Sequence, residues 1–336
     1  MNLLRKILFP FAILYGFITS IRNFLFDKGI FASYSFDLPV IVVGNLSVGG
    51  TGKTPQIEYL IRLLSERYAV ATLSRGYKRK SKGFVLANAN ATAENLGDEP
   101  YQFYQKFPSI QVAVDADRKN GIEQLLTQEK KPQVILLDDA FQHRKVKAGF
   151  YILLTAYDDV FVDDFLLPTG NLRESRSGAQ RADMIVVTKC PTTLSETEQS
   201  QIKQRIKSYS DAPVYFSTIA FDENVQSSIA SVPVATIQQS ACVLLAGIAK
   251  PASFFNYLTN SASICLTYPD HHHFTETDIQ QIKQQAGEKM IVTTEKDYIR
   301  LKDSILKEQL YYLPIRTSLL VGSNEFDASV LDYLKQ

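Results

Sequence analysis

The stretch VIVVGNLSVGGTGKTP, Val40 to Pro55, decides the fold. An unbroken β-branched run ends at Gly44, a glycine-rich turn follows, and Lys53-Thr54-Pro55 opens a helix whose first turn tolerates proline. Strand, turn and helix N-terminus in that order offer backbone N–H groups to phosphate oxygens. A lysine there reaches the β- and γ-phosphates, and a threonine hydroxyl reaches Mg²⁺. The expected phosphate-binding residues are Ser47, Val48, Gly49, Gly50, Thr51, Gly52, Lys53 and Thr54. The strict G-x-x-x-x-G-K-T form departs at its first position, where Ser47 stands, with Gly49 and Gly50 supplying flexibility nearby.

Outward from this loop, Ile57, Leu60, Ile61 and Leu64 recur at i, i+3, i+4 and i+7, one apolar face of a helix. Further buried-strand runs follow: AVATLS (69–74), IQVAVD (110–115), QVILLDD (133–139), FYILLTA (150–156) and DMIVVTK (183–189). Their alternation with helical patterns predicts an α/β fold, a P-loop NTPase-type, mostly parallel sheet with helices on both faces. A shorter series, CVLLAGIA (242–249), SICLTYP (263–269) and KMIVTTEKD (289–297), predicts a second, smaller α/β domain. Two aromatic strands, VYFSTIAF (214–221) and LYYLPI (310–315), bracket that series and are expected to pair as a two-stranded linker. The expected organisation is an apolar helix over 1–36, a P-loop domain over 37–222 and the second domain over 223–336.

Asp138 and Asp139 end the QVILLDD run, where carboxylates hold Mg²⁺ or its water shell or, on a plainer reading, cap a helix. Thr188-Lys189 ends another run but is followed by Cys190-Pro191, without the aspartate that reads guanine, so ATP is the expected nucleotide.

The 336 residues carry 36 Lys and Arg against 35 Asp and Glu, which excludes the broad basic face of a protein that binds long nucleic acid. With 45% hydrophobic residues the chain is not intrinsically disordered. Cys190, Cys242 and Cys265 are too dispersed for a zinc knuckle or a disulfide framework. Leu3 to Phe26 is apolar, with Arg5, Lys6, Arg22 and Lys28 around it; its uncharged run, Ile7 to Ile21, is shorter than a bilayer span and holds Pro10 and Gly16. It reads as a helix in the membrane interface or, alternatively, one packed on its own domain or on a dimer partner.

Other clusters fall where strands end: SRGY (74–77), GDEP (97–100), VDADR (114–118), DDAFQH (138–143), LPTGNLRE (167–174), DHHHF (270–274) and TTEKD (293–297). Together with GNLSVGGTGKTP, in this order and over nearly the whole chain, they resemble the tetraacyldisaccharide 4'-kinase family, the lipid A kinases of Gram-negative bacteria. Ala140 is a departure, because the family usually has glycine in D-D-G-F-Q-H.

The resemblance implies transfer of the ATP γ-phosphate, with Mg²⁺, to the 4'-hydroxyl of a tetraacylated disaccharide 1-phosphate, giving lipid IVA. It implies a monotopic or peripheral enzyme on the cytoplasmic face of the bacterial inner membrane, with a lipid substrate and no nucleic acid partner; a monomer is expected. By the same resemblance Asp98 is the base and His271 its partner. Thr54, Glu99 and Gln142 bind or orient Mg²⁺, Asp138 and Asp139 position the ion and its waters, and Lys53 and Arg173 hold the transferring phosphoryl group. Arg75, Tyr77, Arg118 and Asn171 are the expected substrate residues, although Arg118 equally well pairs with Asp115 and Asp117. The basic run SRGYKRKSKGF is either a solvated loop or a holder of the substrate's 1-phosphate or anionic headgroups. Two other classes fit parts of the sequence. One is a membrane-bound P-loop ATPase switch, although Val48 stands where such proteins carry an extra lysine; the other is a kinase of a small soluble metabolite, which leaves the apolar helix without a task.

Overall fold

The computed structural model describes residues 5, 7–270 and 272–335. The chain divides into two compact units, Met1–Ile219 with Thr317–Gln336, and Ala220–Arg316.

In the first unit the described residues form a nine-stranded sheet. Its strands are β1 (Val40–Asn45), β2 (Val70–Ser74), β3 (Val85–Leu86), β4 (Gln111–Val114), β5 (Val134–Asp138), β6 (Phe150–Ala156), β7 (Met184–Thr188), β8 (Val214–Phe221) and β15 (Ile315–Leu319), in the order β15-β8-β7-β6-β1-β5-β2-β4-β3. The central pairs are parallel, and β3 is antiparallel to β4. Strand alternation splits the buried residues into two cores: Val40, Val42, Ile135 and Leu137 face one side, Ile41, Val43, Val134 and Leu136 the other. Helix α2 (Lys53–Leu64) covers the second side with Ile57, Leu60, Ile61 and Leu64, all fully buried and each worth about 1.5–3 kcal/mol. It is joined there by α4 (Asp98–Lys106) and by the C-terminal helix α11 (Ser323–Tyr333), through Phe103, Phe326 and Val330. The other side is covered by α5 (Arg118–Leu126) and α6 (Glu196–Lys207); the four-residue α3 (Ala93–Leu96) leads into α4.

Because β1 lies between β5 and β6, the connection from β1 to β2 runs to one side of it and that from β5 to β6 crosses to the other. The phosphate loop therefore leaves the sheet where doubly wound sheets bind ligands.

The described residues of the second unit form a six-stranded sheet, β10-β9-β14-β13-β11-β12, built from β9 (Asn224–Gln226), β10 (Ser231–Pro233), β11 (Cys242–Ala246), β12 (Ile264–Thr267), β13 (Met290–Thr294) and β14 (Leu310–Leu313). Helices α7 (Val234–Gln239), α8 (Ala252–Leu258), α9 (Glu276–Ala286) and α10 (Glu295–Leu301) accompany it.

Three details differ from the sequence reading. Residues 310–313 do not pair with β8: they form β14 beside β13, and the neighbour of β8 is β15, the strand immediately after Pro314. The second unit ends at Arg316 instead of 336, because Phe326 and Val330 complete the first unit's core and Tyr333 hydrogen-bonds the backbone of Val40. The N-terminal helix α1 (Phe9–Asp27) belongs to the first unit and is not a separate body.

Candidate active site

Gly52 takes the left-handed conformation (φ 82°) immediately before α2, so the chain turns sharply and starts the helix at Lys53 with Thr54 buried beside it. The loop is clamped from several directions. Asn45 Nδ2 donates to Thr51 Oγ1 at 2.8 Å, Thr188 Oγ1 donates to Thr51 O at 2.8 Å, and the Lys189 ammonium donates to Gly50 O. The LPTGNLRE segment runs antiparallel alongside, with Val48 N–H on Asn171 O (2.8 Å) and Arg173 N–H on Leu46 O (2.7 Å). These donors occupy the carbonyls of Leu46, Gly50 and Thr51, whereas the N–H groups of Val48 and Thr51 are themselves engaged, by Asn171 O and Gly49 O.

Arg173 Nη1 donates to both oxygens of Asp139, at 3.0 and 3.1 Å, and Lys53 Nζ stands 3.5 Å from the same carboxylate. Asp139 itself takes positive φ (48°), so the left-handed turn after β5 falls on it and not on Ala140, whose methyl group is buried in the core. The departure from glycine at that position is accommodated. Asp138 is buried at the end of β5; Ser74 Oγ donates to its Oδ2 at 3.3 Å, and its Oδ1 has no partner among the described residues. Burial, then the charges of Glu99 and Asp139, push its carboxyl up to about 7.

GDEP and SRGY come together through backbone. Gly97 (φ 93°) precedes α4, and a Cβ there would lie 3.2 Å from Tyr77 O. Asp98 and Glu99 thus open a helix beside the exposed Arg75 and Tyr77. Arg118 lies inside the fold, 2% exposed, donating to the backbone carbonyls of Asp115 (2.6 Å) and Asp138 (3.1 Å), while the Asp115 carboxylate accepts from Asn120 Nδ2 (2.6 Å). Asp117 caps α5. His271 lies outside the described residues; its neighbour His272 contacts Asp278 at 3.0 Å.

Glu174, to which the sequence reading assigned no role, is the hub beneath this cluster. It is 2% exposed and accepts from Gln142 Nε2 (3.0 Å), Arg181 Nη2 (2.8 Å) and Asn23 Nδ2 (2.8 Å). Gln142 Nε2 also donates to Asn45 O at 2.8 Å, and its Oε1 faces Arg173 Nη1 at 3.4 Å, so this amide sits inside the network. An acid directly after a site arginine was the available signal. Asn45, at the end of β1, and Lys189, which reaches the loop from the end of β7, were also missed.

The same network receives α1. Tyr15 OH donates to Arg173 O (2.8 Å), Arg22 Nη2 to Gln142 O (2.8 Å) and Arg5 Nη1 to Asn171 Oδ1 (3.1 Å), and Arg144 Nη2 meets Asp27 at 2.5 Å. The docked face is polar or small, with Ala12 and Gly16 buried. The outer face leaves Phe11, Ile13, Leu14, Phe17 and Ile18 more than half exposed. The helix is long and apolar enough to cross a membrane, yet residues near both its ends are bonded to one domain.

A phosphate loop with a lysine and an arginine meeting on one carboxylate, on a doubly wound sheet, defines a P-loop phosphotransferase. The model of the tetraacyldisaccharide-1-phosphate 4'-kinase family matches residues 4–335. This chain belongs to that family. It is 65% identical to the tetraacyldisaccharide 4'-kinase of Flavobacterium johnsoniae, over 100% of this chain and 99% of that one. It is 44% identical to that of Bacteroides thetaiotaomicron, over 99% and 94%. Among solved structures it is similar to LpxK from Aquifex aeolicus, an "apo" form in complex with ATP, at 31% identity and TM-score 0.80, covering 99% of this chain and 100% of that one.

Proposed function

We propose that this kinase transfers the γ-phosphoryl group of ATP to the 4'-hydroxyl of a tetraacylated disaccharide 1-phosphate, giving lipid IVA, while held as a monomer on the cytoplasmic face of the inner membrane. The observation that carries the reading is the meeting of Lys53 and Arg173 on Asp139 beside the phosphate loop. Two cations parked on one carboxylate can move together onto a phosphoryl group, where they oppose the charge on its outer oxygens.

Bound ATP supplies the phosphoryl group, and Mg²⁺, when bound, would neutralise the charge of its phosphates. The donor set suits that ion: the Asp138 Oδ1, which has no partner among the described residues, and the Thr54 hydroxyl would be hard oxygen ligands at the loop, with Glu99 close enough to raise the proton affinity of Asp138. Asp98, in the first turn of α4, takes the proton of the attacking hydroxyl, and the family resemblance makes His271 its partner. Arg75, Tyr77 and Asn171 face the substrate. The exposed apolar face of α1 sits in the interface, and its polar face carries that attachment to Arg173 and Gln142.

The test is incubation of the full chain with γ-labelled ATP and tetraacyldisaccharide 1-phosphate in detergent. Label in the lipid at a base-stable 4'-monoester is the expected result. Label released only as inorganic phosphate would make the protein an ATPase switch.

A further inference from the structure

We infer that Glu58 is a positioning residue for phosphoryl transfer, a brace that sets the helix carrying Asp98 and Glu99 against the helix carrying Lys53 and Thr54; this rests on the reading proposed above. Glu58 projects from the middle of α2 and its side chain is 1% exposed. Its Oε1 accepts from Gln102 Nε2 at 2.9 Å, and its Oε2 accepts from Lys106 Nζ at 2.7 Å and from Arg62 Nη2 at 2.9 Å. Gln102 and Lys106 belong to α4, and Arg62 is one turn along α2 with its guanidinium over the Phe107 ring.

The spacing gives the brace its meaning. Glu58 follows Thr54 by four residues and Gln102 follows Asp98 by four, so on each helix the bonded residue lies one turn, about 6 Å, behind the functional one. Apolar contact already joins the helices, since Phe103 shares a core with Ile57 and Ile61. Such contacts are non-directional and tolerate a slide along the helix axis. Charge-assisted hydrogen bonds from two successive turns of α4 to one carboxylate do not. A buried ion pair is poor value for stability alone, because an apolar pair of similar volume serves as well or better. What it supplies here is axial register between the two groups of reacting residues, where a displacement near 1 Å costs about 10²-fold in rate.

The experiment compares the full-length enzyme with Glu58→Gln and Glu58→Gln/Lys106→Met, the second change removing the ammonium left facing a neutral amide. Melting temperature, ATP binding, kcat, KM for ATP and the Mg²⁺ concentration for half-maximal rate are measured. Glu58→Gln should bind ATP within about twofold of the parent but lose about 10- to 100-fold in kcat and need more Mg²⁺. The double variant should recover melting temperature and leave kcat low. A folded Glu58→Gln enzyme of parental kcat, or a kcat that returns with the melting temperature, overturns the inference and leaves Glu58 a stabilising residue. An unmodified protein that puts no label in the lipid overturns the proposed function, and the brace falls with it.

Discussion

Lys53 Nζ lies 3.5 Å from Asp139 Oδ1, so the phosphate-loop lysine rests on the carboxylate in the turn just after the neighbouring strand β5. With Arg173 on the same group, two positive charges are gathered on one carboxylate beside the phosphate loop.

Lys53→Ala therefore removes charge without removing a core contact. Its melting temperature should stay within a few degrees of the parent, while kcat falls by at least about 10²-fold. Near-normal turnover would remove Lys53 from the reaction.

Asp138 makes stability depend on pH. Its carboxyl is raised from the usual 3.8 to about 7 in the fold, so the folded protein holds a proton that the unfolded chain releases between those values. The stability tied to the protonated form is complete below pH 4 and is lost as pH rises through about 7. Melting of the nucleotide-free protein should fall between about pH 4 and 7 and level off above that, and Asp138→Asn should flatten that drop while abolishing transfer. An unchanged slope in the variant would assign the effect to another group.

The outer face of α1 can be altered without touching the fold, because Phe11, Leu14 and Ile18 are 61%, 56% and 57% exposed. Replacing all three with serine should release the protein from anionic vesicles and raise KM for the lipid, leaving KM for ATP and the melting temperature unchanged. Continued co-sedimentation would give membrane attachment to another surface.

Lys189 reaches the loop from the end of β7. Lys189→Met, by removing one charge-assisted hydrogen bond from the nucleotide loop, should raise KM for ATP about tenfold with little change in KM for lipid. An equal rise in both would point to a general loosening of the fold.

Asp98→Ala and His271→Ala should each lower kcat by about 10²- to 10⁴-fold with nucleotide binding retained. If the two residues act as a unit, the double variant should be little worse than the poorer single one. Multiplied losses would separate them.

Local chemistry was legible in the sequence because it is short-ranged. The buried runs, the four-residue stripe of α2, the glycine turn and the acids at strand ends need only the periods of strand and helix, and each forms where its pattern falls. The same periods say nothing of which strand lies beside which. The antiparallel lane of LPTGNLRE along the phosphate loop, and the return of the last twenty residues to the first unit's core, left no local signature.

By itself, then, the sequence determined a phosphate loop on a parallel α/β sheet, an apolar N-terminal helix and the residue types of the site. Tertiary structure alone decided which of those residues meet. Arg173 and Asp139 are 34 residues apart, Gln102 and Glu58 44, and Asn23 and Glu174 151. Contacts at such separations follow from strand order and from which helix face is buried, and both are set when the two cores close together.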